Sequence, residues 1–250
     1  MLFLLRKIRR SLMQKKKLTT YLLYAAGEIV LVVIGILIAV SINNRNGQQK
    51  QRAEEQRYLS SLLTELRQDS MQYVSTMNVL DRLENSARKV LDVIDDPAKE
   101  IEDSIAFINL VRTTYSLEQD LPEPTVWKEL IATGKLSLIR DQDIITRLYE
   151  YYRRLDESDK DFEVNAAFYI TKGRRLDANT FSIRDQDDYF DNWRIDVVPD
   201  KEVFTQILED EEYAYTFKGI VTGMMISKII LKDVERRRAL AVATIQENLY

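Results

Sequence analysis

The sequence of 250 residues contains no cysteine and no histidine, and it has only seven glycines and four prolines. Without cysteine the chain lacks a disulfide framework, a thiolate nucleophile and Cys-ligated metal sites. Without histidine it lacks Ser-His-Asp triads, His-metal sites and the Glu-x-x-His pairs of di-iron bundles. So few glycines and prolines favour long helices over a turn-rich β-sandwich. We therefore expect an all-α protein that is not an enzyme and has no catalytic residue, metal site or cofactor.

The charges are unevenly distributed, although the formal net charge is only −4. Residues 1–20 carry seven basic side chains and no acidic one, and residues 21–42 carry a single charge, Glu28. Residues 43–250 carry 29 basic and 39 acidic side chains. This order is typical of a single-pass membrane protein. The predicted domains are a basic segment over 1–20, a transmembrane helix over 21–42 and an extracytoplasmic helical domain over 43–250.

The apolar stretch from Tyr21 to Ile42 reads YLLYAAGEIVLVVIGILIAVSI. As a helix it is ~33 Å long at ~1.5 Å per residue, which matches a hydrocarbon core of ~30 Å. A soluble-core helix is one alternative. A cleaved signal peptide is the other, because Arg9-Arg10 resembles a twin-arginine signal and Ala39-Val40-Ser41 resembles a cleavage site. The apolar run exceeds the usual h-region of ~7–15 residues, which favours a retained span.

Flanking basic residues predict the orientation of this span. Seven precede it, and four follow it within 15 residues. The positive-inside rule then places the N-terminus in the cytoplasm and the acidic domain in the periplasm, which makes the protein a single-pass inner-membrane protein. The apolar residues Leu2, Leu5, Ile8 and Leu12 recur at helical spacing among the bases. Two interpretations stay open: an in-plane helix that binds anionic lipid, or a charged segment that only sets topology.

The body shows helical periodicity throughout. Apolar residues recur with helical spacing over residues 48–95, and Pro97 ends that pattern. Further helices are predicted over about 98–117, 126–133 with Thr125 as the cap, 141–178 with Asp141 as the cap, 201–208 and 211–249. Residues 179–200 show no clear period, which predicts an irregular connection. The expected architecture is one N-terminal transmembrane helix followed by an antiparallel bundle of long helices.

Glu28 is an acid inside the predicted span, where a charge costs up to ~2.5–3.5 kcal/mol at the centre. Glu28 and Gly35 share one helix face, and Gly35 with Ala39 forms a small-xxx-small pair that lets two backbones approach closely. We therefore predict a helix–helix contact at Glu28, Gly35 and Ala39, either in a weak homodimer or with another membrane protein. The alternative is a Glu that reaches the interface and glycines without a partner.

Two stretches carry a resemblance to a known family. Residues 6–46 contain a basic K-I-R run, YLLYAAGEI, LVVIGILIA and INN, and residues 125–152 read TVWKELIATGKLSLIRDQDIITRLYEYY. These stretches resemble a family of bacterial membrane proteins of unknown function that is common in the Bacteroidota. Ser41 and Arg45 depart from its pattern. The resemblance implies a single-pass inner-membrane protein and no known activity. The motif residues in the second stretch, which we expect to be structural, are Glu129, Leu130, Gly134, Leu136, Leu138, Ile139, Tyr151 and Tyr152.

The remaining polar clusters have simpler explanations than a site. The acids between Asp185 and Asp191 lack the glycine of a Ca²⁺ loop and predict a solvated loop. The run Arg236–Arg238 is expected to pair with acids, so we expect no nucleic-acid partner. Tyr151 lies on an apolar stripe, whereas Tyr149 and Tyr152 flank it and are expected to be partly exposed.

These patterns favour a membrane-tethered helical interaction or scaffold protein of the bacterial envelope, with the lipid bilayer as its first partner. The alternative is an extracytoplasmic ligand-binding bundle that resembles a sensor, which requires a polar-lined cavity between the long helices. An enzyme that uses only Asp, Glu, Lys, Tyr or Ser is the third hypothesis, and it requires two converging carboxyl groups with shifted pKa values.

Overall fold

The computed structural model describes residues 18–116, 122–192 and 194–249. Within these ranges the chain is helical and contains no β-strand, which confirms the predicted all-α fold. The predicted in-plane helix of the basic segment falls on residues 1–17 and lies outside the described residues. The α-helices are α1 Leu18–Asp95, α2 Ser104–Thr113, α3 Thr125–Ala132, α4 Gln142–Phe162, α5 Phe168–Thr180, α6 Ile183–Asn192, α7 Lys201–Glu209 and α8 Glu211–Leu249. A 3₁₀ turn, Lys135–Leu138, precedes α4, and a π-helical segment, Glu163–Ala167, joins α4 to α5.

The chain divides into two compact units, the first ending at Arg57 and the second beginning at Tyr58. In the first unit, α1 exposes nearly every residue between Tyr21 and Ile42. Among the residues that the structure describes, two helices, α1 and α8, are long and apolar enough to cross a membrane by length and composition. The apolar window of α1 is not buried at all, whereas that of α8 is 44% buried inside its own unit. Burial in the bundle core therefore accounts for part of the apolar character of α8, whereas it accounts for none of that of α1.

The second unit is a bundle of three long helical rods, formed by α1 from Tyr58, by α4 with α5, and by α8. Along α8, Arg238 donates a hydrogen bond to the Leu66 carbonyl (2.9 Å), and Lys228 contacts Asp81 (2.7 Å). Residue numbers fall along α8 as they rise along α1, so these two helices are antiparallel. Further contacts show that α4–α5 also runs antiparallel to α8 and therefore in the same direction as α1.

Two apolar clusters fill this bundle. The first cluster joins the start of the bundle part of α1 to α3, α4 and the C-terminal half of α8. The second joins the end of α1 to α2, α5, α7 and the N-terminal half of α8. The largest fully buried side chains of the two clusters include Leu62, Leu66, Leu80, Leu83, Ile108, Leu130, Ile144, Leu148, Tyr151, Tyr213 and Phe217. Because α8 contributes to both clusters, it is the helix against which the other two rods pack.

Glycine allows α8 to approach α4–α5 closely. A Cβ atom on Gly223 would lie 2.6 Å from the backbone oxygen of Asn165 and 2.9 Å from the Cα of Ala166. A Cβ on Gly219 would overlap the Tyr169 ring. Asn165 and Ala166 belong to the π-helical segment, where the helix carries one extra residue per turn. The π-helical turn of α4–α5 therefore packs directly against the backbone of α8 at Gly223.

Several predicted boundaries are wrong. The predicted helix over 98–117 is only Ser104–Thr113, because the Asp103 side chain accepts the Ala106 N–H and starts the helix there. The predicted helix from Asp141 to residue 178 is interrupted by the π-helical segment. The stretch 179–200, predicted as irregular, contains α6. Asp141 does cap α4, and Gly134 follows α3 with a φ of 69°, as predicted.

We predict that Gly223→Ala lowers the free energy of unfolding of the bundle by about 1–3 kcal/mol, because a methyl group there meets backbone that cannot move aside. Thermal unfolding of the full chain in detergent, followed by circular dichroism, measures this loss. Gly47→Ala is the matched control, since a Cβ at Gly47 meets nothing within 4 Å. Equal melting temperatures for Gly223→Ala and the parent would contradict the close approach.

Candidate functional site

A buried polar cluster lies on one face of α1 at Glu65 and Asp69. These residues are one helical turn apart and are only 7% and 5% exposed. Each carboxylate accepts a hydrogen bond from one of two consecutive tyrosines of α4. The hydroxyl of Tyr152 donates to Glu65 Oε1 (2.6 Å), and that of Tyr151 donates to Asp69 Oδ2 (2.8 Å). Hydrogen bonds to a charged acceptor are the strong kind, so these bonds offset much of the cost of burying two carboxylates.

Glu65 also holds the beginning of α3. Its second oxygen, Oε2, accepts the backbone N–H of Val126 at 2.5 Å. Helix α3 begins with Pro124 in the capping position, and no local side chain caps it. The predicted cap Thr125 instead donates its hydroxyl to the Glu123 carbonyl, so that prediction is wrong. A carboxylate at a helix N-terminus is favoured by the helix dipole, and here it comes from 61 residues away in sequence.

Three aromatic rings cover the buried polar cluster on the side of α3. The Trp127 ring stacks on Tyr152 with centroids 4.9 Å apart and planes at 14°. Tyr149 packs its edge against the same indole at 4.9 Å. Tyr152 is therefore only 6% exposed, which corrects the prediction that it is partly exposed, whereas Tyr149 is exposed as predicted. These rings keep water away from the Glu65 hydrogen bonds and strengthen them.

Arg238 brings α8 to the same place. Its guanidinium forms a bidentate pair with Glu235, with Nε–Oε2 at 2.6 Å and Nη2–Oε1 at 2.7 Å. The remaining nitrogen, Nη1, donates to the backbone oxygen of Leu66 on α1. Arg236 and Arg237 both pair with Asp233, so the whole basic run pairs with acids as predicted. Arg238 thus joins α8 to the α1 backbone at Leu66, between Glu65 and Asp69.

Burial raises the pKa of Asp69 to about 6, from an ordinary value of 3.8. The hydrogen bond from Tyr151 and the charge of Arg238 oppose this rise, whereas the charges of Glu65 and Glu235 add to it. Burial likewise raises the pKa of Tyr151 and of Tyr152 above the ordinary range, so both phenols stay protonated. Asp69 therefore changes its charge at about pH 6.

The space around the cluster is small or open. A cavity of about 20 Å³ lies between the three rods, which is room for one water molecule. Its polar lining comes from Asp69, Tyr73, Thr76, Tyr151, Glu235 and Arg238. On the outer side, an open groove of about 390 Å³ runs along α1 beside the start of α3, and the residues that line it are polar except for Val126. Small-molecule sites are clefts of about 300–1,000 Å³ that bury most of the ligand surface; the cavity between the rods is far smaller, and the groove is open.

The motif residues predicted from the family resemblance lie around this cluster. Glu129 accepts a hydrogen bond from the Tyr58 hydroxyl (2.9 Å), which ties α3 to α1. Gly134 takes the left-handed conformation that turns the chain from α3 into the 3₁₀ turn. The apolar members lie in or against the first core cluster; they are Leu130, Leu136, Leu138 and Ile139. Tyr151 and Tyr152 donate to the two carboxylates. Their structural role remains a prediction.

The other predicted residues lie in the first unit. Glu28, Gly35 and Ala39 are exposed on α1, and a Cβ at Gly35 would meet nothing within 4 Å. The predicted contact at these residues therefore stays a prediction. Among the described residues, no group of three acids lies close enough together to hold a metal ion.

The sequence reading missed the two carboxylates, although a signal was present. The apolar stripe of α1 passes from Leu66 to Tyr73, and the helical position between them, 69, holds an acid. An acid on an apolar stripe predicts a buried carboxylate that needs donors. No signal in the sequence identifies Tyr151, Tyr152 and Val126 as those donors, because they lie 61–87 residues further along the chain.

We predict that Asp69→Asn stabilises the bundle at pH 7.5 and has little effect at pH 4. The folded-state pKa of Asp69 lies above its ordinary value, so the ionised form is penalised by folding. That penalty is complete above pH 6 and disappears as the pH falls toward 3.8, and its size is up to about 3 kcal/mol. The parent chain should therefore gain stability on mild acidification.

Thermal unfolding of the full chain in detergent at both pH values measures this difference. Asp92→Asn, a change at an exposed acid of the same helix, is the control. An equal fall of the melting temperature of Asp69→Asn at both pH values would contradict the prediction. It would mean that the carboxylate stabilises the bundle through its hydrogen bond and that its charge does not destabilise the fold.

Comparisons with known proteins identify the family. No curated protein and no solved structure matches the chain. One family model matches residues 28–199, and its description is "Family of unknown function (DUF6090)". The match begins inside the apolar stretch and covers the buried carboxylates, the tyrosine pair and α6. It extends over more than half of the sequence, and the chain therefore belongs to this family of unknown function, DUF6090.

Proposed function

We propose that the chain is a membrane-tethered helical interaction or scaffold protein of the bacterial envelope. The observation that carries this proposal is the apolar stretch Tyr21–Ile42, which lies on a helix and contains no buried residue. Some environment must cover an apolar surface of this size. A helix satisfies all of its own backbone hydrogen bonds, and this one has the length of a hydrocarbon core. A bilayer is therefore the partner that fits it.

Topology is the second part of the proposal. The chain crosses the inner membrane once, with its N-terminus in the cytoplasm and the bundle in the periplasm. The excess of basic residues before the span supports this orientation. Helix α8 is not proposed to span, because its side chains Phe217, Ile220 and Met224 are completely buried in the bundle core. The basic segment before the span is proposed to contact anionic lipid on the cytoplasmic side.

Interaction through surfaces is favoured over ligand binding or catalysis. The cavity beside Asp69 has room for one water molecule. The buried carboxylates Glu65 and Asp69 both accept hydrogen bonds from tyrosines, so their geometry supports a structural role. The proposed function is accordingly non-enzymatic.

The first prediction from this proposal concerns attachment and topology. The chain should keep residues 21–42, resist extraction by carbonate at high pH and need detergent for release, because the apolar helix has no cover in water. A reporter enzyme that works only outside the cytoplasm should be active when it is fused after Tyr250. N-terminal sequencing that begins at Ile42 would show that the apolar stretch is a cleaved signal. Full fluorescence from a fused reporter that works only in the cytoplasm would contradict the proposed orientation.

Weak self-association through the span is the proposed mode of contact within the membrane. Gly35 lets two backbones approach, and a protonated Glu28 supplies a donor and acceptors to its copy. Interhelical hydrogen bonds in membranes average ~0.6 kcal/mol, so the dimer is expected to be weak. Another membrane protein that presents a polar side chain at the same depth is the alternative partner.

We predict that Gly35→Ile abolishes dimerisation of the span in a membrane two-hybrid assay, whereas Glu28→Gln keeps most of it. The isoleucine blocks the close approach, and glutamine still donates and accepts. The substitution does not disturb the helix itself, since a Cβ at Gly35 meets nothing within 4 Å. Dimerisation of Gly35→Ile at the parental level would show that this face is not an interface.

A further inference from the structure

Helix α6 is anchored to the bundle by one buried arginine. Arg112 of α2 is only 5% exposed. Its guanidinium lies 3.1 Å from an Asp177 oxygen on α5 and lies over two rings, those of Phe181 (5.0 Å) and Tyr189 (4.1 Å). Phe181 precedes α6 and Tyr189 lies within it, so cation–π contacts with Arg112 bind both the start of this segment and the helix to the bundle.

Two further contacts hold the ends of the same segment. At its beginning, the Asp185 carboxylate accepts the backbone N–H of Ser182 (3.0 Å) and the Ser182 hydroxyl oxygen accepts the backbone N–H of Asp185 (3.3 Å), which is a capping box. Beyond its end, the Asn109 side chain donates to the Ile195 carbonyl and accepts the Ile195 N–H, both at 2.8 Å. Ile195 itself is completely buried. The segment is thus fastened before, within and after α6.

The outward face of α6 combines exposed apolar and acidic side chains. Ile183 and Phe190 are seven residues apart and therefore share one helix face, and they are 74% and 59% exposed. Asp187 and Asp191 lie beside them on that face and are exposed. In the described part of the chain, these two aspartates have no ion-pair partner. Val197 and Val198, further along the chain, are also exposed, at 45% and 52%.

We propose that this outward face of α6 docks into an apolar groove of a partner protein whose rim is basic. Apolar anchors at positions i and i+7 are the pattern by which a helix enters a hydrophobic groove. Residues 181–200 contain six acidic and two basic side chains, so complementarity requires a positively charged rim. The proposal rests on the proposed function and names the surface and the partner chemistry through which that interaction takes place.

Charge decides between this partner and the other possible occupants. An anionic lipid surface repels the acidic face, and a bare apolar surface leaves its aspartates without compensation. A second copy of the chain is also acidic, since residues 43–250 carry ten more acids than bases. A basic-rimmed protein groove satisfies the anchors and the aspartates together. Because α6 is held in place before binding, little conformational entropy is lost on docking.

Site-specific photocrosslinking in cells tests the proposal on the full chain. The photoreactive residue p-benzoylphenylalanine replaces Ile183 or Phe190, and matched controls carry it at Val164 or Phe168. The control positions are an aliphatic and an aromatic residue with nearly equal exposure, 77% and 58%. Only the α6 positions should give one adduct of discrete size. Mass spectrometry of that adduct should locate the crosslink in an apolar stretch flanked by Lys or Arg.

The acidic part of the face is tested by Asp187→Asn with Asp191→Asn. Loss of two interfacial charge pairs should lower the adduct yield about threefold or more, and 0.5 M salt should lower it similarly. The melting temperature should not change, since both side chains are exposed. An adduct that is equally strong at Phe168, that forms with lipid or a second copy, or that ignores these substitutions overturns the proposal.

General lysine crosslinking of native membranes separates this inference from the proposed function. If that crosslinking captures a partner through other surfaces while Ile183 and Phe190 yield no adduct, the α6 interface is wrong and the interaction protein stands. If the chain is released without detergent, the proposed membrane tether fails whatever α6 does.

Discussion

Two carboxylates inside an apolar helix face need donors, and satisfying them brings four elements of the bundle together. Glu65 accepts from Tyr152 of α4 and from the first turn of α3, and Asp69 accepts from Tyr151. Arg238 of α8 reaches the α1 backbone between them. An unpaired buried carboxylate costs several kcal/mol, so the register of each helix against α1 is specified by these bonds as much as by apolar burial. The pKa of Asp69 is still raised, so these bonds do not offset the whole cost of burying its charge.

A buried charge is also compensated by side chains of other elements at the other end of the bundle. Arg112 is a buried cation, and its compensation by Asp177 and two aromatic rings fastens α6 to the surface. At both ends a buried charge on one helix positions a distant segment, α3 in one case and α6 in the other. Buried polar groups of this kind specify one arrangement among many that would bury similar apolar area. In the described part of the bundle, both α3 and α6 are therefore held in place by charged side chains of other helices.

Periodicity predicted most helices of the chain, because helix-forming patterns and caps are local. Asp141 begins α4 and Gly134 follows α3, since each acts on backbone within a few residues. Some errors concerned local signals, such as the Asp103 cap that starts α2, and others arose where the deciding contact was distant. Helix α6 has a capping box at Ser182, but its apolar pattern is weak, and contact with Arg112 stabilises it. The π-helical segment at Asn165 accompanies Gly223, more than fifty residues away, and no local pattern indicates it.

The sequence by itself determined the helical class, the exposed apolar stretch Tyr21–Ile42, the separation of basic and acidic regions, and the helix ends that depend on neighbouring residues. Each of these follows from composition, from spacing or from the chemistry of adjacent backbone groups. Tertiary structure alone decided which donors meet Glu65 and Asp69, where α8 approaches α4–α5, and which face of α6 looks outward. Those outcomes depend on which helices pack together and in what register, because a buried charge or a bare glycine has consequences only through the atoms that face it.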